Sequence, residues 1–176
     1  MKRSETGGKP GSGSLPGVNN RIIGIDPGLA ASGWGIVEYK DSRLRHIAHG
    51  CIETGPELPR GERLFFICLA LREVLKTYTP AFAAMETLYF ARNVSSALPV
   101  AEARGVLSMV LAEQGIALKE FTPNAIKKAV VGESRADKSQ VQDMLRLILG
   151  LKEIPKPDHA ADALGAAVCA AHTGFL

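Results

Sequence analysis

The stretch that decides the fold is RIIGIDPG, residues 21–28. Its first six residues form the kind of apolar run that is typical of a buried β-strand, and Asp-Pro-Gly is a strong turn sequence. A carboxylate at the end of a buried strand is held in place by the sheet while it projects towards solvent. The stretch therefore predicts a strand that presents Asp26 at one edge of a sheet.

The pattern on either side of this stretch predicts an α/β domain. Strands from about Trp34 to Tyr39 and from about Leu44 to Glu53 complete an antiparallel meander. After them helical and strand patterns alternate, which is the signature of parallel strands joined by helices. The expected elements are a helix from Arg60 to Thr79, a strand ending at Glu86, a helix from about Val94 to Gln114, a strand from Ile116 to Phe121, a short helix after Thr122-Pro123, a helix capped by Asp137 and running to Leu149, and a last helix from Pro157-Asp158 to about Ala171.

Composition indicates one soluble domain. The 176 residues are 46% hydrophobic, which is enough for a single sizeable core. We expect residues 1–20, rich in Gly and Ser, to be a disordered extension, and residues 21–176 to be the folded domain. The formal charge is +3, but the extension carries +2 of it, so net charge alone argues weakly for a nucleic-acid partner.

The cysteines and the hydropathy pattern indicate the cell compartment. Cys51, Cys68 and Cys169 lie in apolar runs without CxxC spacing, and we interpret them as buried thiols of a reducing cytoplasm. The amino terminus has no apolar stretch of the kind that a secretion signal needs, and no segment reaches the ~18 apolar residues of a membrane span. We therefore expect a cytoplasmic protein.

Four residues of metal-ligand type stand where predicted elements begin or end: Asp26, Glu86, His159 and Asp162. His159 and Asp162 are three residues apart and so share one face of the last helix. An oxygen-rich set with one imidazole favours Mg²⁺ or Mn²⁺, and two such ions support phosphodiester hydrolysis. Each residue also has a structural alternative: Asp26 can simply start a turn, and His159 can be a surface residue beside Asp158 as the N-cap.

A second group of residues is suited to contact a polyanion. Aromatic rings can stack on exposed bases, while Arg and Lys can hold phosphates. The candidates are Tyr89, Phe90, Arg92, Lys127, Lys128, Arg135 and Lys138. The structural alternative is a packed loop for the first three of these and solvated helix faces for the other four.

At these residues the sequence resembles the RuvC-type Holliday-junction resolvases, which belong to the ribonuclease H-like superfamily. Five motifs occur in family order over nearly all of residues 21–173. They are IDPG with GWG at 25–28 and 33–35, METLYFARN at 85–93, ARG at 103–105, VVG through KSQV at 130–141, and ADAL at 161–164.

The resemblance implies a ribonuclease H-like fold, with a five-stranded mixed sheet flanked by helices. It also implies a Mg²⁺-dependent crossover junction endodeoxyribonuclease with two ions per site, which acts as a homodimer in DNA recombination and repair, with a branch-migration motor as a further partner. Asp26, Glu86 and Asp162 match the family's metal-binding acids. His159 stands where many members have Asp, and the neighbouring Asp158 is its rival. Tyr89, Lys127 and Lys138 match positions implicated in DNA binding, whereas Lys128 and Arg135 are added from charge alone.

Three competing interpretations remain at this point. The turn from Asp26 to Gly28 with Gly33 also looks like the first phosphate loop of actin-like ATPases and sugar kinases, but those proteins need two such domains. A catalytically silent junction-binding module would not require acids at all three positions. Another nuclease of the ribonuclease H-like fold is the third alternative.

Overall fold

The computed structural model describes residues 20–88 and 94–174, except for the side chains of residues 94–96. The predicted disordered extension falls on residues 1–19, outside the described residues. Five strands and five helices follow one another in nearly the predicted order: β1 Arg21–Asp26, β2 Ala31–Lys40, β3 Arg43–Glu53, α1 Arg60–Tyr78, β4 Phe82–Glu86, α2 Val94–Glu113, β5 Ala117–Phe121, α3 Pro123–Val131, α4 Lys138–Ile148 and α5 Asp158–His172.

The strands form one mixed sheet in the order β3-β2-β1-β4-β5. The pairs β1–β2 and β2–β3 are antiparallel, while β1–β4 and β4–β5 are parallel. This confirms the predicted antiparallel meander followed by parallel strands. Because β1 lies at the centre and runs parallel to β4, the carboxyl ends of these two strands meet at one edge.

Helices cover both faces of the sheet. One core includes Ile23, Ile25 and Ile36 of the sheet and is closed by apolar residues of α1 and α2. The other core lies between the opposite face and α3, α4 and α5. All three cysteines of the sequence are free; Cys68 and Cys169 are buried as expected, whereas Cys51 is only partly buried. None of the helices in the described part of the chain is both long and apolar enough to cross a bilayer.

Helix α5 lies directly on β1 and β2 because glycines face it. A Cβ atom added to Gly24 would stand 1.8 Å from the Ala163 carbonyl oxygen, and one added to Gly33 would stand 1.9 Å from the His159 carbonyl oxygen. Both distances are far below van der Waals contact. The absence of side chains at these two positions therefore sets how closely the first turns of α5 approach the end of β1.

The predicted starts of the last three helices are confirmed, but the alternative of Asp158 as an N-cap is wrong. Thr122 caps α3 by accepting a hydrogen bond from the Ala125 amide, and Asp137 caps α4 in a capping box with Gln140. Asp158 is not the N-cap of α5: Pro157 holds that position without a side-chain hydrogen bond, and Asp158 is the first helical residue. The reason is that the carboxylate of Asp158 turns to Lys138 instead.

Candidate active site

Asp26 and Glu86 end neighbouring parallel strands. Ile25 of β1 pairs with Met85 of β4, so the next residue of each strand, Asp26 and Glu86, emerges at the same edge. The apolar residues before them are buried, whereas both acids are partly exposed. One cleft is lined by Asp26, Glu86 and Asp162, so the two strand ends and α5 bring three carboxylates to a common space.

Helix α5 supplies the other two predicted site residues. The Nδ1 atom of His159 lies 2.7 Å from Oδ2 of Asp26, which joins the first turn of α5 to the end of β1. Asp162 follows one turn later, with its side chain 41% exposed although its neighbours on α5 are buried. The structure therefore brings Asp26, Glu86 and Asp162 to one cleft, and His159 into contact with Asp26.

Lys138, the first residue of α4, sits between two carboxylates of α5. Its Nζ lies 3.0 Å from Oδ2 of Asp158 and 3.3 Å from Oδ2 of Asp162. The hydrogen bond to Asp158, more than any other contact, raises the pKa of Lys138, and the same contact lowers the pKa of Asp158. Gln142 also donates a hydrogen bond to Asp158, at 3.2 Å. Asp158 is therefore held by two side chains of α4.

Burial and like charge oppose ionisation of the two strand-end acids. Burial is the main cause that raises the pKa of Glu86, and the charges of Asp26 and Asp162 raise it further. Burial also raises the pKa of Asp26, and Asp162 adds to this rise, although the hydrogen bond with His159 opposes it. A cation in the cleft would relieve both effects, because it would stabilise the charged forms.

The donor set fits a divalent metal ion. Three carboxylates and one imidazole are the oxygen-rich ligands that Mg²⁺ and Mn²⁺ accept. If Nδ1 of His159 carries its proton towards Asp26, Nε2 is the ring nitrogen left to coordinate. Within residues 20–88 and 94–174, no group of three or more His, Cys, Asp or Glu side chains is already arranged so that it could hold a metal ion. Three of the four donors instead contact protein groups: His159 and Asp26 contact each other, and Asp162 contacts Lys138.

The predicted DNA-contact residues have different outcomes. Lys127 and Lys138 line a second cleft that shares Glu86 and Asp162 with the first. Lys128 and Arg135 are exposed and do not line either cleft. The remaining three predictions, Tyr89, Phe90 and Arg92, lie outside the described residues.

The structure adds Arg104 of α2 to the site, a residue to which the sequence motif at 103–105 assigns no role. Its guanidinium donates a hydrogen bond of 2.6 Å to the Glu86 carbonyl oxygen and lies 2.5 Å from a carboxylate oxygen of Glu120 on β5. Arg104 also lines the cleft of the three acids. The available signal was an arginine between Ala103 and Gly105 in a largely apolar helix, since such a charge needs a partner.

Comparison with known proteins places this geometry in a family. The family model described as "Crossover junction endodeoxyribonuclease RuvC" matches residues 22–170. A protein of that name from Treponema denticola is 52% identical over 153 residues, covering 87% of this chain and 86% of the relative. One from Heliobacterium modesticaldum is 45% identical over 152 residues, covering 86% of this chain and 94% of the relative.

Solved structures agree with the sequence comparison. The RuvC of T. thermophilus, solved in complex with a Holliday junction substrate, has a TM-score of 0.83 and 35% identity, covering 87% of this chain and 93% of that one. A yeast mitochondrial Holliday junction resolvase, at 14% identity and a TM-score of 0.64, shares the fold. The match decides against the actin-like ATPases and confirms the resemblance: this chain belongs to the RuvC family of crossover junction endodeoxyribonucleases.

Proposed function

We propose that this protein is a structure-selective endonuclease that resolves four-way DNA junctions in recombination and repair. It hydrolyses phosphodiester bonds symmetrically in two strands of the junction, with divalent metal ions. Family membership supports this function, as does the likeness to a relative solved with a Holliday junction substrate.

The single observation that carries the proposal is the meeting of Asp26, Glu86 and Asp162 in one cleft. They come from β1, β4 and α5, so only the fold brings them together. Burial and mutual repulsion raise the pKa of Asp26 and Glu86, which a purely structural cluster has no reason to maintain. A silent junction-binding module would not need three carboxylates gathered in one cleft.

Asp26, Glu86, His159 and Asp162 would hold the metal, for which we propose two Mg²⁺ ions, with Mn²⁺ able to substitute. Such ions, when bound, activate water and stabilise the leaving oxygen in phosphodiester hydrolysis. Lys127 and Lys138, at the rim of the same space, would bind phosphate oxygens of the strand to be cut. Arg104 holds the end of β4, and so orients Glu86 through its main chain.

A homodimer suits symmetric cleavage, because two-fold symmetry presents identical sites to two strands. Five large apolar side chains on α1 and α2 are candidates for such a contact, because they are between 43% and 62% exposed. They are Phe65, Phe66 and Leu69 on α1, and Leu98 and Met109 on α2. A junction-bound branch-migration motor stays a prediction from the family resemblance.

The test of the function is cleavage of a mobile four-way junction, a matched linear duplex and an RNA–DNA hybrid, each with Mg²⁺, Mn²⁺ or EDTA. We expect paired, symmetric nicks in the junction alone, and only with metal. Asp26→Asn should bind the junction without cutting it, whereas the control Asp143→Asn, at an exposed acid of α4 that pairs with Arg146, should cut normally. Cleavage of the hybrid alone would instead identify another nuclease of this fold.

The dimer has its own test. Phe65→Glu places a charge in the exposed apolar face of α1 without disturbing the core, since Phe65 is 62% exposed. We expect analytical ultracentrifugation to detect dimers of the wild type and monomers of the variant, and the monomers to leave single, unpaired nicks. A wild type that is monomeric while it makes paired nicks would contradict this part of the proposal.

A further inference from the structure

A separate cleft beside the acid site carries positive charge. It has a volume of about 400 Å³, which is within the range of about 300–1,000 Å³ for ligand pockets. The turn between β1 and β2 forms one wall, the start of α1 a second, and α2 a third. Its described lining contains Arg60, Arg63 and His159 and no carboxylate: Gly28, Leu29, Ala30, Ala31, Arg60, Arg63, Pro99, Val100 and His159.

This cleft adjoins the acid site. His159 lines it while its ring contacts Asp26, and Val100 lines both this cleft and the cleft of the three acids. Lys127 and Lys138 line another cleft, which shares Glu86 and Asp162 with the acid site. A nucleic-acid strand bound at the acids would therefore have two lysines in one adjoining cleft and two arginines in another.

The turn that forms one wall has few free acceptors for a cation. The carbonyl oxygen of Gly28 accepts the Ser32 hydroxyl at 2.6 Å, and that of Leu29 accepts the Thr54 hydroxyl at 2.5 Å. The carbonyl oxygen of Ala30 accepts the Thr54 amide at 3.0 Å. Because these carbonyl oxygens are already hydrogen-bonded, the charged groups that line the cleft are the guanidinium donors of Arg60 and Arg63, which suit an anion.

The two arginines have donors available. Among the described residues, the side chain of Arg63 makes one hydrogen bond, from Nε to the Thr54 hydroxyl at 2.8 Å, and has no carboxylate partner. This bond fixes the direction of the guanidinium and leaves its terminal nitrogens for a ligand. Arg60 lies 3.2 Å from Glu102, but both side chains are well exposed, and such pairs are weak and easily exchanged.

We propose that Arg60 and Arg63 bind a backbone phosphate of the junction strand that flanks the scissile one on the His159 side. The cleft thus positions the strand across the acids, and its ligand is a phosphodiester group. The inference rests on the proposed function and names two binding residues for it that no family motif in the sequence contains.

The experiment measures binding of a labelled four-way junction in EDTA, where no cleavage occurs, from about 50 to about 200 mM salt. The variants are Arg60→Gln, Arg63→Gln and the double variant. The control is Arg72→Gln, further along α1, because Arg72 also pairs with a glutamate of α2, Glu113 at 2.9 Å. We expect Arg63→Gln to weaken binding about tenfold and to reduce the salt slope by about one. The control should match the wild type.

Two further variants separate binding from a structural role. Thr54→Val removes the hydrogen bond to Arg63 but keeps the guanidinium, so the salt slope should stay that of the wild type. Glu102→Gln frees Arg60 from its carboxylate and should tighten junction binding, by up to about fivefold. Arg60 is exposed, so its variant should fold even if Arg63→Gln does not.

The outcomes distinguish the two proposals. If the wild type neither binds nor cuts the junction, the proposed function fails. If the wild type does both, but Arg60→Gln and Arg63→Gln have the affinity and salt slope of Arg72→Gln, the phosphate site is refuted. The phosphate site would also be refuted if Thr54→Val lost as much junction affinity as Arg63→Gln and showed the same change of salt slope.

Discussion

Replacing Gly33 by Ala should disrupt the active site without touching any of its side chains. The new Cβ would stand 1.9 Å from the His159 carbonyl oxygen, and real Cβ atoms are essentially never closer than 3.0 Å to such an atom. The first turn of α5 must therefore move away from β2 by at least 1.1 Å, unless the strand moves instead. That turn carries His159, whose contact with Asp26 is 2.7 Å long and would be lost.

The size of the effect follows from this displacement. A misplacement of about 1 Å at a catalytic site costs roughly 100-fold in rate. Overpacking costs about 1–3 kcal/mol in stability, and for a domain of this size each kcal/mol lowers the melting temperature by ~2–4 °C. We therefore expect a folded protein with a melting temperature lowered by several degrees and junction cleavage reduced about 100-fold.

The assay is single-turnover cleavage of a four-way junction at saturating protein, with circular dichroism to confirm the fold. The matched control is Gly61→Ala, because Gly61 is an exposed residue of α1 and a Cβ there would meet nothing within 4 Å. The control should cut at the wild-type rate. A folded Gly33→Ala protein that also cuts at the wild-type rate would refute the claim that the contact of α5 with β2 sets the site's geometry.

Three further predictions concern charge at the site. Asp26→Asn should raise the melting temperature in EDTA at neutral pH. Because burial raises the folded-state pKa of Asp26, ionisation of this carboxyl destabilises the fold at neutral pH. The wild type should recover the lost stability as the pH falls through the raised pKa towards the unfolded-state pKa. Lys138→Gln should change the melting temperature little, since the ion pairs of Lys138 are exposed. It should lower the Mg²⁺ concentration that gives half of the maximal thermal shift, because Lys138 no longer competes with the metal for Asp162. Arg104→Gln should cost about 1–3 kcal/mol in urea unfolding and reduce cleavage, because the Glu86 carbonyl oxygen loses its charged donor.

Much of the fold and of the site could be predicted from local pattern. Asp26 and Glu86 each follow an apolar run, and parallel strands must end at the same edge, so their proximity follows from the topology alone. The spacing of His159 and Asp162 likewise fixes a shared helix face. The start of β2 was placed too late, because Ser32 resembles a turn residue in sequence but its buried hydroxyl bonds to the Gly28 carbonyl oxygen.

The contacts that tune the site could not be predicted, because they depend on how helices pack. Lys138 reaches Asp162 over 24 residues of sequence, and Arg104 reaches the Glu86 carbonyl oxygen over 18. No periodicity encodes either distance. The cleft of Arg60 and Arg63 has the same origin, since α1, α2 and the β1–β2 turn meet there only in the folded chain.

The most direct test of the account is binding of Mn²⁺ in the absence of DNA, followed by the loss of the electron paramagnetic resonance signal of free Mn²⁺. The account predicts that the wild type and Asp143→Asn bind Mn²⁺ alike, whereas Asp26→Asn, Glu86→Gln and Asp162→Asn each bind it much more weakly. Equal binding of Mn²⁺ by all five proteins would contradict the claim that these three carboxylates form the metal site.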